Sequence, residues 1–389
     1  MNSDRITLFI LCLITFFGMS GSTLLGPVLP TIVEPLNTSR EAVGLILAVY
    51  TLSTALFTLV IGSITDRINH KKILIPCLIV NGLSGMAAFF ATDLTLLLFI
   101  RFIQGSAVAG MTPLAMTMIG GLYSGKQRIH AMGRRSISIA IGAVFLPFIG
   151  GSMGVFGWNF PFLFYCLTIP IAIVAVFALP ETNPEEFTGK ATIELTDIKE
   201  ALKDFRVSYT IFLSFAIAFL LYSVIIYVPF ILEDSFDFTS QGAGIALSLR
   251  GASVIVVASQ ARKLSEIYSE HIVMSAGFGL LSAAIAGFPF VNTVPSTFLL
   301  LLLFGAGFGM IQPFLTTLII QVSPSNIMGG IVSIFNTMKY IGQTVAPSVL
   351  GIVLFYFNMD MIFIVSSIFG FIIALSVYLT KARFYETNH

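Results

Sequence analysis

Three basic residues lie deep inside long apolar stretches of this chain: Arg101, Arg250 and Lys339. An ionised side chain at the centre of a bilayer costs at least about 2.5–3.5 kcal/mol, so such residues are expected to serve a function. A guanidinium group can hold a carboxylate or a phosphate through two parallel hydrogen bonds. The three cations therefore predict a binding site for a small organic anion or zwitterion. Asn336, three residues before Lys339, shares its helix face and is included in this site.

Acidic residues do not reach the same depth, because every Asp and Glu near an apolar stretch lies at one of its ends. A site dedicated to lipophilic cations would need a buried acid, so this asymmetry disfavours such a ligand. Proton transfer across the membrane would need a titratable group. The candidates are Glu34, Glu233 and Asp234. As an alternative, Lys339 could have a lowered pKa and relay protons as a neutral amine.

The remaining reactive residues indicate no other chemistry. Cys12, Cys77 and Cys166 each lie in a different apolar stretch, which is typical of small buried hydrophobic residues rather than of disulfides or metal ligands. The sequence shows no phosphate-binding loop and no nucleophile motif. We therefore expect neither an enzyme nor a cofactor or metal, and the basic loops of a chain with net charge +1 are expected to face anionic lipid rather than nucleic acid.

Composition places these residues in a membrane. The chain is 56% hydrophobic and only 10% charged, against about 25% charged residues in soluble domains. About 20 apolar residues cross a bilayer as a helix. Twelve stretches qualify, at 6–29, 41–62, 73–91, 95–117, 136–156, 160–179, 208–232, 240–260, 272–290, 296–318, 330–355 and 359–380. The sequence therefore predicts an all-α membrane protein with twelve transmembrane helices.

Basic residues predict the orientation of these helices. With the N-terminus in the cytoplasm, most of the 20 Lys and Arg residues lie in inner loops and only Arg40 lies outside. Inner loops carry an excess of Lys and Arg, so both termini are expected to be cytoplasmic. The first apolar stretch is long enough to span and lacks a small-residue cleavage site, so it is interpreted as a helix rather than a signal peptide.

Glycine and proline recur at a constant offset of 200 positions. The matched pairs are Gly105 and Gly305, Pro113 and Pro313, Gly142 and Gly342, Pro147 and Pro347, and Gly151 and Gly351. This repeat predicts two six-helix bundles, 1–180 and 207–389, related by a pseudo-two-fold axis. The linker 181–206 is predicted to carry a short amphipathic helix in DIKEALKDFR. Two homologous halves around a central site are the usual plan of a secondary transporter.

The loop after the second apolar stretch, GSITDRINHKK, resembles the signature loop of the major facilitator superfamily. The matching residues are Gly62, Asp66, Arg67, Lys71 and Lys72. Asn69 stands where a second Gly is usual, and Asn also tolerates a left-handed backbone. The resemblance implies that this loop latches the two halves together in one state of a transport cycle.

Two further stretches resemble motifs of the drug:proton antiporters in that superfamily, which are twelve-helix exporters. LLFIRFIQGSAVAG resembles the fourth-helix motif. GAVFLPFIGG resembles the antiporter motif of the fifth helix, with Leu146 in place of a Gly; the matching residues are Gly142, Pro147, Gly150 and Gly151. These small residues are explained equally well by a flexing gate, as the resemblance implies, and by tight helix packing.

The resemblance also implies which helices line the transport pathway: the first, fourth, seventh and tenth. Their polar residues become candidate substrate ligands, namely Gln104, Tyr222, Tyr227 and Gln312. For Arg101 two interpretations stay open, direct contact with the substrate and bonding to polar groups of the first and fourth helices.

The sequence thus predicts a secondary active transporter of the bacterial inner membrane that works by alternating access. We expect it to export a small organic anion, zwitterion or amphiphile, driven by protons or by the membrane potential. The alternatives are a broad-specificity multidrug:proton antiporter and an uptake symporter. One chain of this plan supplies a complete pathway, so a monomer is expected.

Overall fold

A computed structural model of the chain describes residues 2–65, 68–181, 195–324 and 327–380. It is 87% helical, and the described residues contain no strand. Within that part of the chain, eleven helices are long and apolar enough to cross a membrane, and a bent pair at the start supplies a twelfth span. The predicted all-α, twelve-span membrane architecture is confirmed.

The first six spans are α1 to α6. α1 is Asn2–Gly18 followed by Ser20–Thr23, a 3₁₀ turn Gly26–Val28 and Leu29–Ile32; α2 is Leu45–Thr65; α3 is His70–Phe89; α4 is Leu94–Leu122; α5 is Gly125–Gly154; α6 is Phe160–Leu163 continued through Phe164–Leu167 into Thr168–Ala178. The two parts of α1 meet at an angle of 42°. Pro27 and Pro30 cannot donate backbone hydrogen bonds, which explains why the second part of α1 is irregular.

The second six spans are α7 to α12, and they follow a short helix, Leu195–Ala201. α7 is Phe205–Phe236, α8 is Ser240–Ala258, α9 is Glu270–Gly287, α10 is Val294–Val322, α11 is Met328–Tyr356 and α12 is Met359–Leu379. Several helices extend beyond the predicted stretches, α5 by eleven residues at its start. Hydropathy identifies only the lipid-embedded turns, whereas the helix itself continues through polar residues such as Arg128 and Arg134.

The linker differs from the prediction in its second half. The short helix ends at Ala201, and α7 begins at Phe205. Asp204 causes this restart because its carboxylate accepts a hydrogen bond of 2.8 Å from the backbone N–H of Arg206, which caps the new helix. The same carboxylate forms an ion pair of 3.0 Å with the Arg206 guanidinium.

The chain divides into two compact units, Met1–Ala191 with Thr239–Gly244, and Thr192–Phe238 with Ile245–His389. Each unit contains the same helix contact. In the first, a Cβ atom on Gly105 of α4 would overlap the carbonyl oxygen of Tyr50 on α2. In the second, a Cβ atom on Gly305 of α10 would overlap the carbonyl oxygen of Arg250 on α8. The 200-residue repeat is therefore a repeat of packing, in which glycine lets two helix backbones approach closely.

Candidate functional site

Arg101 is fully buried in the first unit, and its guanidinium is bonded to neutral groups of three helices. Nη1 donates to Oε1 of Gln104 at 2.6 Å, and Nη2 donates to the carbonyl oxygen of Gly21 at 2.6 Å. Nε donates to the carbonyl oxygen of Ile46 at 3.3 Å. Arg101 and Gln104 meet because they are three residues apart on one face of α4. Gly21 lies in the bent second part of α1, so Arg101 ties that bend to α2 and α4.

Aromatic and amide side chains extend this cluster to α3 and α6. The guanidinium carbon of Arg101 lies 4.2 Å from the centroid of the Tyr50 ring, a cation–π distance. Tyr165 donates to the carbonyl oxygen of Ser20 at 3.1 Å. Gln104 donates to Asn81 at 3.2 Å, and Asn81 reaches the Thr168 hydroxyl at 3.4 Å.

Sequence reasoning missed four members of this buried polar cluster: Tyr50, Asn81, Tyr165 and Thr168. The available signal was a polar residue inside an apolar stretch, which applies to Asn81 as much as to Gln104.

Arg250 lies in the second unit at the position that Tyr50 takes in the first. The position equivalent to Arg101 is occupied there by Leu301, which is fully buried. The repeat therefore keeps the helix contact but moves the cation from α4 to α8.

The guanidinium of Arg250 lacks the partners that Arg101 has. The side chain is 5% exposed, and its Nε atom is buried without a hydrogen bond. Within the described residues, no carboxylate forms an ion pair with it. Burying a charged group without hydrogen bonds or an opposite charge is costly, and the described residues supply neither to Arg250.

The other predicted substrate ligands of the second unit lie on α7, α10 and α11. Tyr222 and Tyr227 are buried on α7, and Gln312 is half-buried on α10. On α11, the side-chain amide of Asn336 donates to the carbonyl oxygen of Val332 at 3.0 Å. Lys339 is half-buried, with its ammonium 5.5 Å from the ring centroid of Tyr340. The described contacts thus place these residues in one unit without assigning them a shared ligand.

The three acidic coupling candidates stay near helix ends. Glu34 and Asp234 are exposed, and Glu233 is half-buried in the last turns of α7. Their role in proton coupling remains a prediction.

The predicted latch loop is partly described. Gly62 is exposed near the end of α2, where an added Cβ atom would meet no other atom within 4 Å, and Lys72 is exposed at the start of α3. Lys71 donates to the carbonyl oxygen of Leu179 at 2.7 Å, which joins α3 to the end of α6. Asn69 has φ −51° and caps α3 by accepting from the Lys71 N–H at 3.0 Å, so it needs no left-handed backbone. Asp66 and Arg67 lie outside the described residues, and the latch stays a prediction.

The glycines of the α5 motif differ in how tightly they pack. A Cβ atom on Gly150 would overlap the carbonyl oxygen of Leu24 in α1. Gly142 is looser, with its nearest neighbouring atoms at 3.3 and 3.5 Å from such a Cβ. Gly150 is therefore needed for close packing of α5 against α1. Its role in gating stays a prediction.

Gly151 packs against the start of α8, whose residues Thr239–Gly244 belong to the first unit. The Ser240 hydroxyl donates to the carbonyl oxygen of Gly151 at 2.9 Å. A Cβ atom on Gly244 would lie 2.5 Å from the carbonyl oxygen of Pro147. Ser240 and Gly244, four residues apart, form a small-residue face that the sequence analysis missed, although this spacing is a known signal of close helix packing.

In the described part of the chain, no group of three or more His, Cys, Asp or Glu residues could hold a metal ion. The buried polar groups described above are hydrogen-bond donors and acceptors that can bind a ligand or hold helices together.

Comparison with known proteins agrees with this architecture. The family model of the Major Facilitator Superfamily matches residues 11–347. The bacillibactin exporter of Bacillus subtilis (strain 168) is 29% identical over 367 residues, which is 91% of each chain. Multidrug resistance protein 2 of the same organism is 26% identical over 391 residues, covering 97% of this chain and 95% of that protein.

A solved structure of a bacterial homologue of the human lysosomal transporter Spinster has the same fold. Its TM-score is 0.83 at 17% identity, over 98% of this chain and 97% of that one. The match of the family model across most of the chain, together with the twelve apolar helices, identifies the family. The chain belongs to the major facilitator superfamily and is a multi-pass transmembrane transporter.

Proposed function

We propose that this transporter exports a small organic anion, zwitterion or amphiphile by alternating access, and that Arg250 binds the acidic group of the substrate. The observation that carries this proposal is the buried guanidinium of Arg250, which makes no hydrogen bond or ion pair with any described residue. A carboxylate or phosphate would satisfy it through two parallel hydrogen bonds.

The contrast with Arg101 supports this assignment. Both arginines are buried next to the same repeated helix contact, but the guanidinium of Arg101 already donates hydrogen bonds to Gly21, Ile46 and Gln104. We therefore assign Arg101 and Gln104 to holding the helices of the first unit. Tyr222, Tyr227, Gln312, Asn336 and Lys339 are proposed as further contacts to the substrate from the second unit.

Export is the direction that the relatives favour. The bacillibactin exporter and multidrug resistance protein 2 are named for outward transport or for resistance. The proposed location is a bacterial inner membrane with both termini in the cytoplasm, and the proposed unit is a monomer. An anion that leaves a cell with a negative interior gains about 2.3 kcal/mol per charge per 100 mV, so the membrane potential alone could drive export. Proton exchange through Glu34, Glu233 or Asp234 is the alternative driving force.

The test is uptake into inside-out membrane vesicles, which corresponds to export from the cell. The probes are labelled mono- and dicarboxylates, organic phosphates and the lipophilic cation tetraphenylphosphonium, each with an imposed proton gradient or an imposed potential. We expect Arg250→Ala to lower the uptake of the anionic probes roughly ten- to hundredfold, because a hydrogen bond to a charged group contributes about 1.5–3 kcal/mol. Arg250→Lys should keep part of the activity. Arg262→Ala, on a side chain that is 90% exposed, is the matched control and should behave as wild type.

The second candidate function is a broad-specificity multidrug:proton antiporter. The likeness to multidrug resistance protein 2 and the 37 Phe residues of the chain favour it. Under this function tetraphenylphosphonium would accumulate with a proton gradient and Arg250→Ala would leave its uptake unchanged. An uptake symporter would instead accumulate its substrate in right-side-out vesicles. Either result would refute the proposed role of Arg250 in export.

A further inference from the structure

A basic cavity of about 200 Å³ opens on the first unit, and its lining includes none of the residues proposed to bind the substrate. It lies between the first turns of α1 and the N-terminal part of α5. Its lining includes Arg5 and Arg134, the partly buried Ser138, and the exposed apolar side chains Phe9 and Ile137. Neither the function proposed above nor the family resemblance uses this cavity.

The two arginines of the cavity are available to a ligand. Arg5 and Arg134 are both exposed, and within the described residues neither guanidinium makes a hydrogen bond or an ion pair. Asp4, the nearest acid along the chain, does not line the cavity; its carbonyl oxygen accepts from the Tyr123 hydroxyl at 2.8 Å, which ties the start of α1 to the end of α4. Both arginines line one cavity, and a guanidinium group can hold a phosphate through paired hydrogen bonds, so a phosphate suits this site.

The apolar part of the cavity indicates that the phosphate belongs to an amphiphile. Phe9 is 66% exposed and Ile137 is 60% exposed. Ile141 and Phe145 follow Ile137 at intervals of four residues and are also exposed, so an apolar face runs along α5 away from the arginines. A free phosphate would gain nothing from this face, whereas an acyl chain would lie along it.

The position along the membrane agrees with a lipid. Arg5 and Arg134 belong to the side that carries most basic residues, which the orientation predicted from the sequence places in the cytoplasm. Basic cavities between transmembrane helices on that side are suited to anionic lipid headgroups.

We propose that the cavity formed by Arg5, Phe9, Arg134, Ile137 and Ser138 binds an anionic phospholipid. Its phosphate lies between the two guanidinium groups, and one acyl chain follows the exposed apolar face of α5. The lipid thereby bridges α1 and α5.

The experiment measures lipid retention by native mass spectrometry on the full-length protein in a mild non-ionic detergent. Dioleoylphosphatidylglycerol is compared with dioleoylphosphatidylcholine for wild type, Arg134→Ala and Arg5→Ala/Arg134→Ala. At about fivefold per basic residue, we expect the preference for the anionic lipid to fall about fivefold in the single variant and about thirtyfold in the double variant. Lys126→Ala changes an exposed basic residue in the first turn of α5 that does not line the cavity; it is the control and should keep the wild-type preference. Arg134→Lys, which keeps the charge, should keep most of it.

Three results would overturn the proposal. The first is a wild-type protein without preference for the anionic lipid. The second is an equal loss in Lys126→Ala, which would indicate general attraction to a basic surface. The third is full displacement of the lipid by glycerol phosphate or inorganic phosphate at the concentration of the lipid, which would make this a site for a free anion. A thermal unfolding measurement on each variant separates loss of binding from loss of the fold.

Discussion

Replacing each buried arginine by leucine tests whether the two arginines have different tasks. Leu301 already occupies the position in the second unit that Arg101 occupies in the first, so leucine is a side chain that this helix contact accommodates. We expect Arg101→Leu to destabilise the protein. We expect Arg250→Leu to leave its stability unchanged or higher while anion transport is lost.

The magnitude follows from the contacts of Arg101. Its two hydrogen bonds of 2.6 Å contribute about 1.5–3 kcal/mol each, because the donor is charged. Their loss leaves the Gly21 carbonyl and the Gln104 amide oxygen buried without this donor. Leucine recovers part of the energy, since the cost of burying a charge disappears. We therefore expect a net loss of about 3 kcal/mol, the lower end of the sum for two hydrogen bonds from a charged donor.

Arg250→Leu removes no hydrogen bond to any described residue and relieves the burial of a charge. The same calculation therefore gives no loss. The pair of variants is matched in residue type and in burial, and each arginine lies next to the same repeated helix contact, on α4 in the first unit and on α8 in the second.

A thiol-reactive fluorogenic maleimide provides the assay. Cys12 and Cys77 are buried and Cys166 is half-buried, so the dye reacts as the protein unfolds and reports the unfolding temperature in detergent. A drop of several degrees is expected for Arg101→Leu only. Equal stability of Arg101→Leu and wild type would refute the assigned role of Arg101. An equal drop in both variants would refute the statement that Arg250 lacks partners in the protein.

Two further predictions concern packing and pH. Gly150→Ala should lower the free energy of unfolding by about 1–3 kcal/mol and impair transport, because the added Cβ atom would overlap the carbonyl oxygen of Leu24. Gly133→Ala is the control and should be neutral, because an added Cβ atom there would meet open space. Equal effects of the two variants on the unfolding temperature would contradict the packing argument. At the start of α7, burial by itself raises the pKa of Asp204. The hydrogen bonds and the charge of Arg206 lower this pKa by more than burial raises it, so the net pKa lies below its usual value. A carboxylate whose pKa is lowered by folding stabilises the folded protein when the pH is above its pKa in the unfolded chain, about 4. This stabilisation is lost as the pH falls through its pKa in the folded protein. The advantage of wild type over Asp204→Asn in unfolding temperature should therefore be full at pH 7 and shrink below about pH 4; a constant difference would refute the pairing.

The sequence was sufficient for the membrane character, the twelve spans and the repeat. Hydropathy is a property of consecutive residues, and a run of about 20 apolar residues has one stable form in a bilayer, the helix. Gly105 and Gly305 mark the repeated helix contact because only glycine fits where two backbones approach this closely. The loop Gly62–Lys72 and the α5 motif were sufficient to recognise the resemblance to the family, because each is a short continuous stretch of sequence.

The tertiary structure decided which of the buried cations has a partner. In the sequence, Arg101 and Arg250 are both cations inside apolar stretches, and for Arg101 direct contact with the substrate and bonding to neighbouring helices were both left open. They differ in their contacts with residues far along the chain. Arg101 donates to the carbonyl oxygens of Gly21 and Ile46, whereas Arg250 has no hydrogen-bond partner among the described residues.

Two further features are likewise contacts between separate helices. Gly150 of α5 packs tightly against Leu24 of α1, and Arg5 of α1 and Arg134 of α5 line one cavity. Local patterns determine helices. Hydrogen bonds and charges are satisfied only once the helices have packed. The sequence therefore predicted the candidate residues, and the packing separated an arginine with three hydrogen bonds from one with none to the described residues.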